Sequence, residues 1–528
     1  MATWSRIQVI NHHLKTTISM KKNQLFIMPL FLGISLSSLS ACSVDSGLDI
    51  QPGITLTPEQ PNPVPKDGQV TTFTTAANGF TLLKQGSLQL QQGGSMAPTT
   101  IYIDPTKADQ SIDGFGFAIT YSTCYNLLHM DAKERADFLK RTYSETEGYG
   151  VSYARISIGC NDFSSTEYTL CDEPGLENFR LYQDEKDYVI PILKEILAIN
   201  PKLKIVAAPW TCPRWMKVAD IRTKAPHNAW TDGHLNPDYY ADYAAYFVKF
   251  VQAMQAEGIS IYAVSPQNEP LNKGNCASTY MPWQEQADFV KELAKAFKQQ
   301  KLTTKIYLYD HNYDYQQTAD QEDYPVKIYN ALGNDFEGAE YVVGAAYHDY
   351  GGSNSELTDI YSKAPDKELI FSESSIGTWN DGRNLSTRLL KDMNSVTLGT
   401  LNQHCKAVLV WNLMLDEKMG PNLDGGCQTC YGAVDIASDY RTLSYNSHYY
   451  IITHLSSVVK PDAVHLDTSA RSSAPKDMVY SAFRNADGSL AVVFSNSSSD
   501  NQLVTVFDGS RHFQAEIPGE SVMSCIWK

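Results

Sequence analysis

Eight short apolar runs, each followed by a longer stretch of helical periodicity, occupy the middle of this 528-residue chain. They lie at 114–119 (GFGFAI), 153–158 (YARISI), 204–208 (KIVAA), 261–264 (IYAV), 305–309 (KIYLY), 342–346 (VVGAA), 368–372 (ELIFS) and 407–411 (AVLVW). A strand buried on both faces reads as a continuous apolar run rather than an alternating one. Amphipathic stretches such as 238–255 and 283–297 separate the runs. Eight buried strands alternating with helices predict an α/β chain closed into a (β/α)8 TIM barrel. A doubly wound open sheet is the competitor, but no Gly-rich phosphate loop follows any run.

The two ends of the chain read differently. Strand-like pieces at 70–75, 80–83, 87–91 and 100–104 precede the barrel, separated by Gly or Pro. Helical periodicity stops after about 455, and 478–483, 490–495, 503–507 and 522–527 read as strands between Asn/Asp/Gly/Ser turns. The expectation is one β-sandwich built from both ends, 70–108 and 455–528, around a barrel at 109–454. No internal repeat is evident.

The first 69 residues read as an address. From Met20 the chain runs MKKNQLFIMPLFLGISLSSLSAC, with Lys21 and Lys22 before an apolar segment at 25–36. That segment is too short for a membrane span and suits a signal peptide. Its ending, Leu39-Ser40-Ala41-Cys42, resembles a bacterial lipobox, which implies cleavage after residue 41 and lipidation of Cys42. Met20 is then a candidate start. Residues 42–69, with Pro52, Pro58, Pro61, Pro63 and Pro65, read as an extended tether. The expected location is the cell envelope, with the chain lipid-anchored to a bacterial outer membrane.

Net charge is −16 and no Lys/Arg-rich run occurs. Nucleic acid is excluded as a partner, because displacing its counterions needs a basic patch. The 31 Tyr, 19 Phe and 8 Trp suit stacking on the apolar faces of sugars, although rings also fill cores. Cys427 and Cys430 form a single CxxC, half a zinc site with no second CxxC or HxxxH. A local disulfide, or two free thiols, is expected there rather than metal. No cofactor is implied.

Barrel active sites lie at the C-terminal ends of the strands. Run two leads to Arg155 and Asn161-Asp162, and run three to Pro209-Trp210. Run four leads to Asn268-Glu269, run five to Asp310-His311-Asn312 and run six to His348-Asp349-Tyr350. Run seven ends in Glu373, and run eight in Trp411-Asn412. A Glu at one strand end is ordinarily a surface acid. Glu269 and Glu373, closing strands four and seven beside Trp210 and Trp411, instead match the paired carboxyls of a retaining glycosidase. No three-His or HxxE cluster points to a metal.

Several blocks carry a family resemblance: DGFGFAIT (113–120), YSETEGYGVSYARISIGCNDFS (143–164), APWTCPRWMK (208–217), SPQNEP (265–270), FSES (371–374) and VWNLMLDEKMGPN (410–422). In this order they resemble glycoside hydrolase family 30, the glucosylceramidase and β-1,6-glucanase group, from about 70 to 528. The resemblance implies a barrel joined to a β-sandwich and retention of anomeric configuration. It implies Glu269 as acid/base and Glu373 as nucleophile. Asn268 would bind a sugar 2-hydroxyl, and Arg155 and Tyr350 would orient the nucleophile. Asp162, Trp210 and Trp411 would line the terminal sugar subsite, with His311 a further binding candidate. A departure stands at His348-Asp349-Tyr350, where glucosylceramidase-type members often carry His-Trp-Tyr. A β-linked glucan or glucoside is the expected substrate, with β-1,6-glucan favoured. Glucosylceramide, β-xylan, β-xyloside and β-fucoside are the alternatives within the family. A catalytically silent glycan-binding lipoprotein is the alternative outside it.

Overall fold

A computed structural model describes residues 61–93, 99–469 and 472–528. The expected signal segment, Cys42 and most of the Pro-rich tether lie outside the described residues. The barrel strands are β1 (Gly114–Ala118), β2 (Tyr153–Ser157), β3 (Lys204–Ala208), β4 (Ala263–Val264), β5 (Lys305–Asn312), β6 (Val342–His348), β7 (Glu368–Glu373) and β8 (Cys405–Asn412). They form one closed sheet in chain order, with β8 returning to β1 and all pairs parallel. Each of the eight apolar runs became a barrel strand. β4 is the shortest, because of the run at 261–264 only the last two residues pair regularly on both sides.

Side chains fill the barrel interior. Tyr153, Val206, Ala263, Tyr307, Ala346, Ile370, Ala407 and Leu409 form one buried layer. Bulky Tyr153 and Tyr307 alternate there with alanines, so large and small residues interdigitate. Gly116 has to be glycine: a Cβ on it would stand 1.6 Å from the Tyr153 carbonyl oxygen. The N-terminal mouth is plugged by ion pairs, Lys204 with Asp113 and Lys406 with Glu368, each at 2.8 Å. Ligand access is therefore from the other end.

The sandwich has two sheets. The larger runs Lys84–Gln89, Gln69–Ala76, Ser521–Trp527, Leu490–Asn496, Met478–Arg484, Val464–Leu466, Ala108–Ser111. The smaller runs Gln91–Gln92, Arg511–Ile517, Gln502–Phe507, Thr100–Tyr102. Both chain ends enter both sheets. The piece expected at 80–83 is not a strand. The Asn78 side chain accepts from the Phe80 N–H at 3.0 Å, Gly79 is left-handed (φ +77°), and the chain turns there with Phe80 exposed. The strands Ala108–Ser111, Val464–Leu466 and Arg511–Ile517 were not anticipated.

The helix Ser447–Val458 runs past the expected limit at 454, and all twelve of its residues are buried. It packs on the barrel strands β1 and β8 and on the sandwich strands Leu490–Asn496 and Ser521–Trp527. Its central histidine is satisfied from both ends of the chain. His454 Nδ1 meets Ser524 Oγ at 2.7 Å and Nε2 meets Thr75 Oγ1 at 2.8 Å. Burial holds that imidazole neutral, lowered to about 3.

Candidate active site

The cleft at the C-terminal mouth encloses about 810 Å³, near the upper end of the ~300–1,000 Å³ typical of small-molecule sites. Local irregularities in the barrel strands aim side chains into it. In β5 the ladder slips between Tyr309 and His311, with Tyr309 and Asp310 both at left-handed φ near +70°. In β6 it slips at Tyr347/His348, and in β8 it skips Trp411. Such bulges re-aim side chains next to sites. Glu269 itself is left-handed (φ +45°), held by hydrogen bonds from its N–H to the Asp310 carbonyl and from the Asn272 N–H to its own carbonyl. A non-glycine residue in that region stores strain that surrounding contacts must offset.

Arg155, fully buried on β2, is the hub. Its Nη1 donates to Glu373 Oε2 at 2.5 Å, and its Nη2 donates to Asn268 Oδ1 at 2.7 Å and to Asp310 Oδ2 at 2.9 Å. Anchoring Asn268 by its oxygen leaves its NH2 to donate elsewhere. Tyr350 Oη donates to Glu373 Oε1 at 2.9 Å. Both oxygens of Glu373 are therefore held by donors. Trp210 and Trp411 stack with centroids 5.4 Å apart, and the Arg155 guanidinium lies 5.0 and 5.6 Å from the two rings. Asp162 Oδ2 accepts from the Cys427 N–H at 3.1 Å. Burial, then the Glu373 and Glu269 charges, push the Asp162 carboxyl up to about 6.

Oxygens of Glu269 and Glu373 and a ring nitrogen of His348 all lie within 4.8 Å of one another. Glu269 Oε2 accepts from Asn272 Nδ2 at 2.7 Å and Asn275 Nδ2 at 3.0 Å, and Oε1 meets His348 Nδ1 at 3.2 Å. The other face of His348 meets Asp310 Oδ1 at 3.1 Å, and Ser372 Oγ donates to that same oxygen. Glu269, His348 and Asp310 thus form a buried chain ending on Arg155. Burial opposes charge on His348, but Glu373, Asp310 and Glu269 outweigh it and raise the imidazole to about 9. Burial likewise opposes charge on Glu269, but His311, His348 and Asn272 hold its carboxyl down to about 2. Between these two values the proton of this pair rests on His348. Burial pushes Glu373 above the usual carboxylate range, while His348 and Arg155 pull against it.

Of the residues singled out in the sequence, Asn268, Glu269, Tyr350, Glu373, Asp162, Trp210 and Trp411 line this one cleft, and Arg155 stands directly behind Glu373 and Asn268. His311 does not line it. Fully buried, it accepts from the Leu271 N–H at 3.4 Å, stands 4.0 Å behind Glu269 Oε2, and is held near 4 by burial. Its place is behind a carboxylate rather than on the cleft surface. Asp310, His348, Asn272 and Asn275 were missed. The first two stood in quoted strand ends; both are fully buried and meet Arg155 and Glu269 by hydrogen bonds rather than lining the cleft. Cys427 and Cys430 form a disulfide in the cleft wall.

Comparison with known proteins agrees with this geometry. A model of the glycosyl hydrolase family 30 TIM-barrel domain matches residues 112–459, and one of the family 30 beta sandwich domain matches residues 462–525. The chain is 29% identical over 496 residues to the endo-1,6-beta-D-glucanase BGN16.3 of Trichoderma harzianum, spanning 89% of this chain and 95% of that protein. It is 26% identical to the lysosomal acid glucosylceramidase of Mus musculus, over 84% and 86% of the two chains. Among solved structures, the endo-beta1,6-glucanase BT3312 superposes with a TM-score of 0.84 at 55% identity, covering 87% of this chain and 99% of that one.

Proposed function

The chain belongs to glycosyl hydrolase family 30, and from that premise we propose that it hydrolyses β-1,6-glucan by double displacement with retention of configuration. The observation that carries the mechanism is the spacing of the carboxylates. Oxygens of Glu269 and Glu373 within 4.8 Å suit the roughly 5–5.5 Å of retaining enzymes and leave no room for the water that inversion needs. The β-1,6-linkage rests on the similarity to two endo-β-1,6-glucanases, one of them at 55% identity.

Each step has its residue. A Glu373 oxygen attacks the anomeric carbon while the bond from that carbon to the glycosidic oxygen breaks. Arg155 and Tyr350 keep the attacking group oriented and favour its ionised form. The departing oxygen takes a proton from Glu269. That proton comes from His348 through the 3.2 Å contact, so the pair acts as one acid of higher effective basicity than a carboxylate alone. Asp310 compensates the imidazolium. In the second step water attacks the glycosyl–Glu373 ester, Glu269 takes its proton, and Glu373 leaves as carboxylate. Asn268 NH2 serves the 2-hydroxyl, where a hydrogen bond strengthens as positive charge develops on the ring. Trp210 and Trp411 form the apolar floor of the terminal sugar subsite.

Incubation with β-1,6-glucan, xylan and glucosylceramide, with the products followed by NMR, tests this reading. We expect β-anomeric products first, from β-1,6-glucan. An initial α-anomer would sink the mechanism, and cleavage of glucosylceramide alone would overturn the substrate. No turnover on all three would favour a glycan-binding role.

The Leu-Ser-Ala-Cys ending and Pro-rich segment support a lipid-anchored envelope enzyme, its chain tethered through Cys42. Radiolabelled palmitate should enter the wild-type protein and not a Cys42→Ala variant. Equal labelling of both would remove the anchor from the proposal.

A further inference from the structure

Trp379 stands apart from the site described so far. It follows Glu373 by six residues, in the one-turn helix Thr378–Asn380, and it lines the same cleft with its side chain 52% exposed. Indole buries more apolar surface than most side chains and is seldom left half in water without a partner. Trp210 and Trp411, which form the floor, are almost wholly buried. Trp379 is therefore a ring at the rim, outside the sugar enclosed by the two glutamates.

The turn that carries the ring is held on several sides. The ring lies against Gly377, where a Cβ would come within 1.9 Å of Trp379 Cζ3, so any other residue at 377 would displace it. Asn380 Oδ1 accepts from the Gly377 N–H at 3.0 Å and closes the turn. The strand Ile376–Gly377 pairs with Cys430–Tyr431, and the Thr378 N–H donates to the Thr429 carbonyl at 3.0 Å. The Cys427–Cys430 disulfide fixes that partner strand. A solvent-facing ring given a glycine seat, a side-chain cap and a cross-linked ladder is pre-organised. Pre-organisation lowers the entropy lost when a ligand settles on it.

The rest of the lining says what the ligand is. Asn354, Asn380 and Lys391 line the same cleft as Trp379, as does the half-buried Asp349. Amide and ammonium donors in one cleft with a flat apolar face match a pyranose, which has an apolar ring face and hydroxyls at its edge. They do not match an acyl chain, which needs a continuous apolar wall.

We propose that Trp379 is the platform of an accessory sugar subsite, stacking a pyranose residue of the glycan beyond the one held at Glu269 and Glu373. The inference rests on the glycanase reading and explains how a chain of several sugars, rather than a single glucoside, would be gripped. Subsites outside the reacting sugar supply binding energy that positions the scissile bond.

The test compares two substrates. For Trp379→Ala, kcat/KM on β-1,6-glucan should fall about ten- to a hundredfold further than on an aryl β-glucoside, which has no second sugar. Trp379→Phe, which keeps a flat ring, should recover most of that difference. Equal losses on both substrates, or no loss on the polymer, would overturn the proposal. If the wild type cleaves xylan instead of β-1,6-glucan, the substrate reading falls, and the same ratio measured on xylan decides the platform. Independently, calorimetric titration of a Glu373→Gln protein with β-1,6-linked glucotetraose should show binding weakened at least about tenfold by Trp379→Ala. Undiminished affinity there, or no binding before Trp379 is changed, would also overturn it.

Discussion

Glu373→Gln should lower kcat on every β-glucoside by at least about 10,000-fold, because the attacking oxygen loses its charge and no neighbour can replace it. The amide also presents an NH2 toward Arg155 or Tyr350, both of which donate to the native carboxylate. Thermal unfolding should be measured alongside, so that a folding defect is not read as a catalytic one. Glu269→Ala should behave differently, and the difference identifies the two roles. With an activated aryl leaving group the first step needs no proton, so that substrate should form the glycosyl-enzyme at near wild-type rate while natural glucan does not. Azide, small enough to enter the vacated space, should then restore turnover and yield a β-glycosyl azide. If Glu373→Gln keeps more than about one per cent of activity, or if azide rescues Glu373→Gln in preference to Glu269→Ala, the assignment is wrong.

His348→Gln should move the alkaline limb of kcat/KM at least about two pH units toward acid, and should cost about a hundredfold or more at neutral pH. The groups facing His348 are Glu269 from the loop after β4, Asp310 and His311 from β5, and Glu373 from β7, with Arg155 behind Asp310. Among these His348 is raised to about 9 and Glu269 lowered to about 2, so the pair holds one exchangeable proton across the neutral range. That proton is lost only as pH rises through the raised imidazole value, and the wild-type limb should fall there. Without the imidazole, Glu269 must hold the proton alone. A carboxyl titrates near 4.3 when unperturbed, well below an imidazole. A His348 that merely orients Glu269 would lower the whole profile without moving the limb. That outcome would remove His348 from the proton path.

The barrel was legible because parallel strands, covered on both faces, leave unbroken apolar runs such as KIVAA and AVLVW. The catalytic pair was legible because strand ends have fixed positions around a closed barrel. What stayed hidden was which of two adjacent polar residues meets Arg155 behind the cleft. Asp310 and His311 occupy neighbouring places in one strand, and alternation alone cannot rank them when a bulge adds a residue to the count. His311 was chosen; it stands behind Glu269, while Asp310 carries the contact to Arg155. The sandwich was legible at its centre, where long strands alternate, and illegible at its edges, where Ala108–Ser111 and Val464–Leu466 are short. Phe80 misled because an aromatic beside a turn looks like the start of a strand. The helix Ser447–Val458 has no solvent face, so its polar residues carried no amphipathic signal to mark its end.

The larger sandwich sheet sets Gln69–Ala76 directly beside Ser521–Trp527, in antiparallel register from Val70 opposite Trp527 to Ala76 opposite Ser521. The first and last regular segments of the described chain are thus zipped together like the two halves of a buckle, with the barrel as the loop they fasten. Cutting either end opens the same seam. A fragment carrying 112–459 alone would bare the buried faces of Ser447–Val458, including His454, which would lose partners on both severed sides. For anyone trimming this enzyme, the sandwich is no accessory cut away at a linker. It is the cover that keeps Ser447–Val458, packed on β1 and β8, out of water.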